Sequence, residues 1–142
     1  MKNIKLIRNN LSIFIVILIM VLLFAGCVNT PKQEKSGYVT VTIDASSVDK
    51  GIILSDYSVS INEATNVFDA TFIACRENEI LMSSRGLSGT RYIEGIADLY
   101  EFDYGPASGW VFYVNEISST KSSGVYELNE GDEIRWEYVI EK

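Results

Sequence analysis

The sequence predicts an α+β domain, a mixed sheet with one helix packed on it. Three observations predict it. Apolar residues alternate at period two near position 40 and again near position 136. One stretch after Asn66 repeats at helical spacing. The chain from Tyr38 onward, about 105 residues, is large enough for one core and too small for two.

The elements follow in order. Tyr38 to Asp44 (YVTVTID) alternates β-branched and aromatic residues, a strand signal, and Ser46 to Gly51 breaks it with a polar turn. Ile52 to Leu54 is a short apolar patch, and Tyr57, Val59 and Ile61 then share one face of a second strand. These two strands are close enough to form a hairpin. Asn66 is a suitable N-cap, with Asp69 placed where its charge favours a helix start. Val67, Ala70, Ile73 and Ala74 recur at helical spacing, Phe68, Phe72 and Cys75 widen the stripe, and Glu77-Asn78 ends it. A helix of about 11 residues draws its stability from packing rather than from propensity.

Strands return after it. Ile80 to Met82 is short and leads to a turn at Gly86 to Gly89. Arg91 to Ile96 and Trp110 to Val114 read as strands, and Tyr126 to Leu128 precedes a turn at Asn129 to Asp132. Ile134, Trp136, Tyr138 and Ile140 alternate with Arg135, Glu137 and Val139, so the last strand is half-buried. A hairpin, a helix and then further strands is the order of a β-grasp.

The N-terminus reads differently. Lys2, Lys5 and Arg8 precede Leu11 to Ala25, an apolar run of 15 residues interrupted by Ser12 alone. That suits a signal-peptide core and falls short of the roughly 20 residues of a membrane span. The run ends Leu23-Phe24-Ala25-Gly26-Cys27, which resembles the bacterial lipobox, although Phe24 replaces its usual Leu. The resemblance implies cleavage after residue 26 and lipid on Cys27. Two acyl tails there would anchor the chain stably to the outer face of the cell membrane. Val28 to Gly37 is polar, contains Pro31 and reads as a flexible tether, giving a signal at 1–26, a tether at 27–37 and a domain at 38–142.

Composition excludes several functions. The whole chain has 12 Lys+Arg, 19 Asp+Glu and no His. Removing the leader leaves 9 basic and 19 acidic residues, a net charge of −10. Such a surface repels phosphate backbones, so nucleic acid is not expected as a partner. Without His, a Gly-x-Ser-x-Gly elbow or a phosphate-cradling loop, the chain is not expected to be an enzyme. Cys75 has no partner but Cys27 and lies in the helical stripe, a setting for a buried, inert thiol. Asp98, Glu101 and Asp103 cluster, but their spacing does not match an EF-hand, and they read as a solvated acidic rim with no metal or cofactor.

The segment Glu101 to Trp110 (EFDYGPASGW) is the most densely specified. Gly105-Pro106 and Ser108-Gly109 set turn geometry, leaving Tyr104, Ser108 and Trp110 for an aromatic and hydroxyl rim suited to flat ligands. Trp110, Phe112 and Val114 also read as the core face of a strand, with Tyr113 pointing the other way.

Three motifs in and around this region carry a family likeness: Gly109-Trp110 followed by Val114-Asn115, the ending Tyr126 to Tyr138 (YELNEGDEIRWEY), and Val67-Phe68-Asp69-Ala70 opening the helix. They resemble a domain of unknown function (DUF4430-like) similar to the C-terminal β-domain of transcobalamin and intrinsic factor. The resemblance implies a β-grasp-like fold on an exported protein and cobalamin or another corrinoid as ligand. In the animal carriers a helical domain supplies half of that binding site, and this chain has no such domain. The expectation is a non-catalytic binding module whose ligand residues are Tyr104, Gly105, Pro106, Ser108, Gly109, Trp110 and Tyr113, serving a transporter or other surface protein. The alternative is a module that docks a protein or wall polymer and takes no small molecule.

Overall fold

The computed structural model describes residues 36–140. The signal, Cys27 and nearly all of the tether lie outside the described residues. The main sheet has five strands: β1 (Gly37–Asp44), β2 (Ile52–Ile61), β6 (Gly109–Val114), β7 (Ile117–Ser118) and β8 (Glu133–Val139), in the order β2-β1-β8-β6-β7. The first and last long strands run parallel at its centre and every other pairing is antiparallel. The helix α1 (Val67–Glu77) follows the β1–β2 hairpin. This is the β-grasp order, and the α+β expectation is met.

A second sheet was not expected. The strands β3 (Met82–Arg85), β4 (Tyr92–Ile96) and β5 (Leu99–Tyr100) form a separate antiparallel meander between α1 and β6. Its tight turn holds Ala97 and Asp98 at φ 51° and 57°. Two successive positive φ values are what a two-residue hairpin of matching twist requires. Neither residue is the Gly or Asn that usually announces such a turn, so the signal was weak.

Alternation in the strands decides which face is core. Val39, Val41 and Ile43 of β1, Trp110, Phe112 and Val114 of β6, and Ile134, Trp136 and Tyr138 of β8 are all buried on one face. Two layers cover that face. The helix is tied to it by Trp136, whose Nε1–H donates to Thr71 Oγ1 at 2.9 Å. The small sheet is tied to it by Trp110, whose Nε1–H donates to the Leu99 carbonyl at 2.9 Å. The other face is polar: Arg135 lies 3.6 Å from both Asp44 and Glu116 and pairs also with Glu137.

Local chemistry explains the helix. Asn66 Oδ1 accepts from Asp69 N–H at 2.9 Å, the expected cap. The Val67 and Phe68 N–H groups donate to the carbonyls of Tyr126 and Ser123, and Ala70 N–H to that of Asn66. The N–H groups of Val67, Phe68 and Asp69, which no helical carbonyl can reach, are therefore all satisfied within the chain. The buried stripe differs from expectation at one place. Thr71 is fully buried and Phe72 is 46% exposed, because the stripe turns through Val67, Ala70, Thr71 and Ala74. Among the described residues no helix is long and apolar enough to cross a membrane.

Candidate ligand cleft

Beside the small sheet, a surface cleft reaches down to the buried face of the main sheet. The cleft, of about 290 Å³, lies between β4, β6, β8 and the connection after β7. Its walls are aromatic: Tyr92, Trp110, Phe112 and Trp136. The chain has only two tryptophans, and both line this cleft. Hydroxyls of Thr90, Ser119, Ser122 and Ser123 edge it. None of the lining residues is acidic, in a chain with 19 Asp and Glu.

The rings are held in place by packing and hydrogen bonds. Phe112 and Trp136 lie 5.2 Å apart between centroids, and Trp110 meets Tyr138 edge-to-face at 5.3 Å. Such pairs contribute about 0.5–1.5 kcal/mol each beyond their buried area. Both indole N–H groups are satisfied by the covering layers, and Trp110, Phe112 and Trp136 are largely buried, so they form the floor of the cleft while Tyr92 is its exposed ring. The outer wall is pinned by Ser122 Oγ–H, which donates to the Arg91 carbonyl at 2.8 Å.

Tyr92 stands at one rim. Arg85 lies over its ring at 4.6 Å and also pairs with Glu94 at 3.0 Å and with Glu101. Burial, then a hydrogen bond with Glu101, pushes the Tyr92 hydroxyl above the ordinary tyrosine range. Arg85, and after it Tyr92, holds the Glu101 carboxyl below the usual range. Tyr92 is therefore a neutral donor at any physiological pH. Cys75 is buried, which pushes its thiol up to about 11 and leaves it without nucleophilic character. Among the described residues no group of three or more His, Cys, Asp or Glu is placed to hold a metal ion.

The residues singled out from sequence fall in four places. Trp110 lines the cleft but is only 5% exposed. Tyr104, Gly105, Pro106 and Ser108 form the loop before it. There Ser108 is buried, its Oγ accepts from Tyr104 N–H and donates to the Gly105 carbonyl, each at 3.0 Å, and it lies 3.0 Å from the Tyr138 hydroxyl. Ser108 thus acts inside the loop, while the Tyr104 ring is 51% exposed and meets Tyr138 edge-on at 6.0 Å. Gly109 is buried beside Glu101 and Tyr92: a side chain there would meet Glu101 Cβ at 3.6 Å and Tyr92 Oη at 3.8 Å. Tyr113 is apart from all of these, paired opposite Arg135 on the polar face of the sheet. Sequence reasoning missed Tyr92, Phe112 and Trp136 as cleft walls, because their alternation marks core strands and nothing in it marks where the cover ends.

Comparison with known proteins places the chain. The model of a family described as a domain of unknown function (DUF4430) matches residues 64–139. The chain belongs to the DUF4430 family. The match runs from just before α1 to the end of β8 and so includes all four cleft rings. No curated protein matches this DUF4430 chain. Among solved structures it is similar to haptocorrin in complex with Cbi, with a TM-score of 0.60 and 15% identity over 81% of this chain. It spans 29% of the haptocorrin chain. It is also similar to a candidate metal binding protein from Ruminococcus gnavus ATCC 29149, with a TM-score of 0.48 and 14% identity, covering 75% of this chain and 99% of that one. At such identity the haptocorrin likeness is one of fold.

Proposed function

We propose that this chain is a non-catalytic binding module of a surface lipoprotein, and that the aromatic cleft takes an extracellular small molecule. The observation that carries the reading is the cleft itself. A floor of largely buried rings, with Tyr92 exposed at the rim and hydroxyls, Arg91 and Lys121 at the edge, suits a flat, largely apolar ligand with polar edges. A corrinoid is the first compound to test, because the haptocorrin structure similar to this chain holds Cbi. Its size sets how it would bind. About 290 Å³ is at the small end of ligand pockets, so a macrocycle would insert one edge and rest its body on the rim. Lipid on Cys27 would hold the module on the outer face of the cell membrane, where it could pass its ligand to a transporter.

A second reading is a docking module for a surface protein. It is favoured by β2, a ten-residue strand at the edge of the main sheet, available for strand addition. Isothermal titration of the detergent-solubilised full chain with cobalamin and with cobinamide separates the two. Saturable heat that is lost in Ser119→Trp, which adds bulk at the cleft wall, supports the cleft reading. Absence of heat with both ligands refutes corrinoid binding and favours the docking module.

A further inference from the structure

Phe102 is placed at a double disadvantage. Its backbone has φ +70°, and its side chain is 60% exposed. Among the described residues, the other non-glycine positions with positive φ hold Asp, Asn, Glu, Ser or Ala, and Phe102 alone is large and apolar. The left-handed region is unfavourable for a residue carrying a bulky side chain, and an exposed phenyl ring gains nothing from burial. Asp103 N–H donates to the Tyr100 carbonyl at 3.3 Å, which closes a four-residue turn with Phe102 at its third position. With positive φ, that position is where glycine is preferred. The fold has no need of a phenyl ring there.

The loop nevertheless fixes this conformation. Phe102 N–H donates to the Ser108 carbonyl at 2.9 Å, and Gly105 N–H donates to the Phe102 carbonyl at 3.2 Å. Asp103 Oδ2 accepts from Tyr100 N–H at 2.8 Å, and the Tyr138 hydroxyl donates to the Tyr100 carbonyl at 2.7 Å. A floppy loop would relax out of the left-handed region, whereas this one is bonded at both ends of the turn. Glu101, the neighbour of Phe102, reaches the cleft rim, where it hydrogen-bonds with Tyr92, a lining residue, and lies against Gly109.

We infer that Phe102 is a ligand-contact residue, held outward so that its ring packs against the part of a flat apolar ligand that the cleft is too small to enclose. The inference rests on the cleft reading above and adds to it the residue that sets ligand size. Small aromatic compounds that fit inside the cleft would bind without Phe102, and larger ones would need it.

The test is titration of the detergent-solubilised full chain with cobinamide, for the parent, Phe102→Gly, Phe102→Tyr and Ser119→Trp, with the Tm of each. The expected pattern is weakening of at least ~5-fold in Phe102→Gly, near-parent affinity in Phe102→Tyr, and loss in Ser119→Trp. The Tm of Phe102→Gly should equal or exceed the parent's, since glycine relieves the left-handed backbone. Unchanged affinity in Phe102→Gly with loss in Ser119→Trp overturns the role of Phe102 and leaves the cleft reading standing. A Tm several degrees lower in Phe102→Gly shows the ring to be a packing group and also overturns it. No binding by the parent overturns both.

Discussion

Replacing Thr71 by Val should destabilise the domain by stranding one hydrogen bond. Thr71 and Trp136 are both buried, and Thr71 Oγ1 is the acceptor of the Trp136 indole N–H at 2.9 Å. The hydroxyl itself donates to the Val67 carbonyl at 2.7 Å, one turn earlier in the helix. Val keeps the shape and removes the acceptor. A buried donor left without a partner costs about 1–3 kcal/mol. Taking ~2 kcal/mol, and about 4–8 °C of Tm per kcal/mol for a domain near 100 residues, the melting point should fall by roughly 8–16 °C. The control is the same change in a Trp136→Phe background, where there is no indole N–H to strand and Thr71→Val should cost no more than about 0.5 kcal/mol. Urea unfolding of the four chains gives the coupling directly. Equal costs of Thr71→Val in both backgrounds would refute the claim that this bond fixes the helix to the sheet and orients a cleft wall.

Other outcomes follow from the same structure. Tyr138→Phe removes a donor to the Tyr100 carbonyl and a neighbour of Ser108, and should cost about 1–2 kcal/mol in urea unfolding. Amide exchange should then quicken in the 100–108 loop before it does in α1. Asn66→Ala should cost about 1 kcal/mol through loss of the bond to Asp69 N–H, with Asn66→Asp close to the parent. Burial raises the Cys75 thiol from 9.0 to about 11, so the folded chain keeps a proton that the unfolded chain releases. That contribution is complete below about pH 9 and is lost as pH climbs toward 11. Subtracting the Tm–pH curve of Cys75→Ala should isolate the fall, and an identical slope in both chains would refute it.

The fold was legible wherever local chemistry and tertiary packing agree. The alternation in β1, β6 and β8 matches their buried faces, and Asn66 caps the helix because its side chain reaches an N–H three residues on. The break between Ile52–Leu54 and Tyr57–Ile61 was also real. Asp56 sits in it at φ 48° and bonds with Thr42, so one continuous strand is bulged there. The small sheet was less legible, since β5 is two residues long and its turn has no glycine. Thr71 was passed over because a polar residue does not register in an apolar stripe, although its hydroxyl is what Trp136 needs. The cleft was hidden for a different reason. Its walls come from residues near 92, 111, 121 and 136, and no window of sequence contains them together. The rim foreseen at Tyr104 to Trp110 reaches that cleft only through Trp110, and Phe102, an exposed ring just before the rim, carries no sequence mark, because backbone φ is invisible to composition.

The central claim is that the cleft binds a small molecule, and the chain's two tryptophans make it directly measurable. Trp110 and Trp136 give two indole N–H resonances, each from an ordered, hydrogen-bonded ring in the cleft wall. Titration of ¹⁵N-labelled full chain with cobinamide should move both resonances together, saturably, and should leave them fixed in Ser119→Trp. Resonances that stay in place in the parent chain while the ligand is in large excess would contradict the claim.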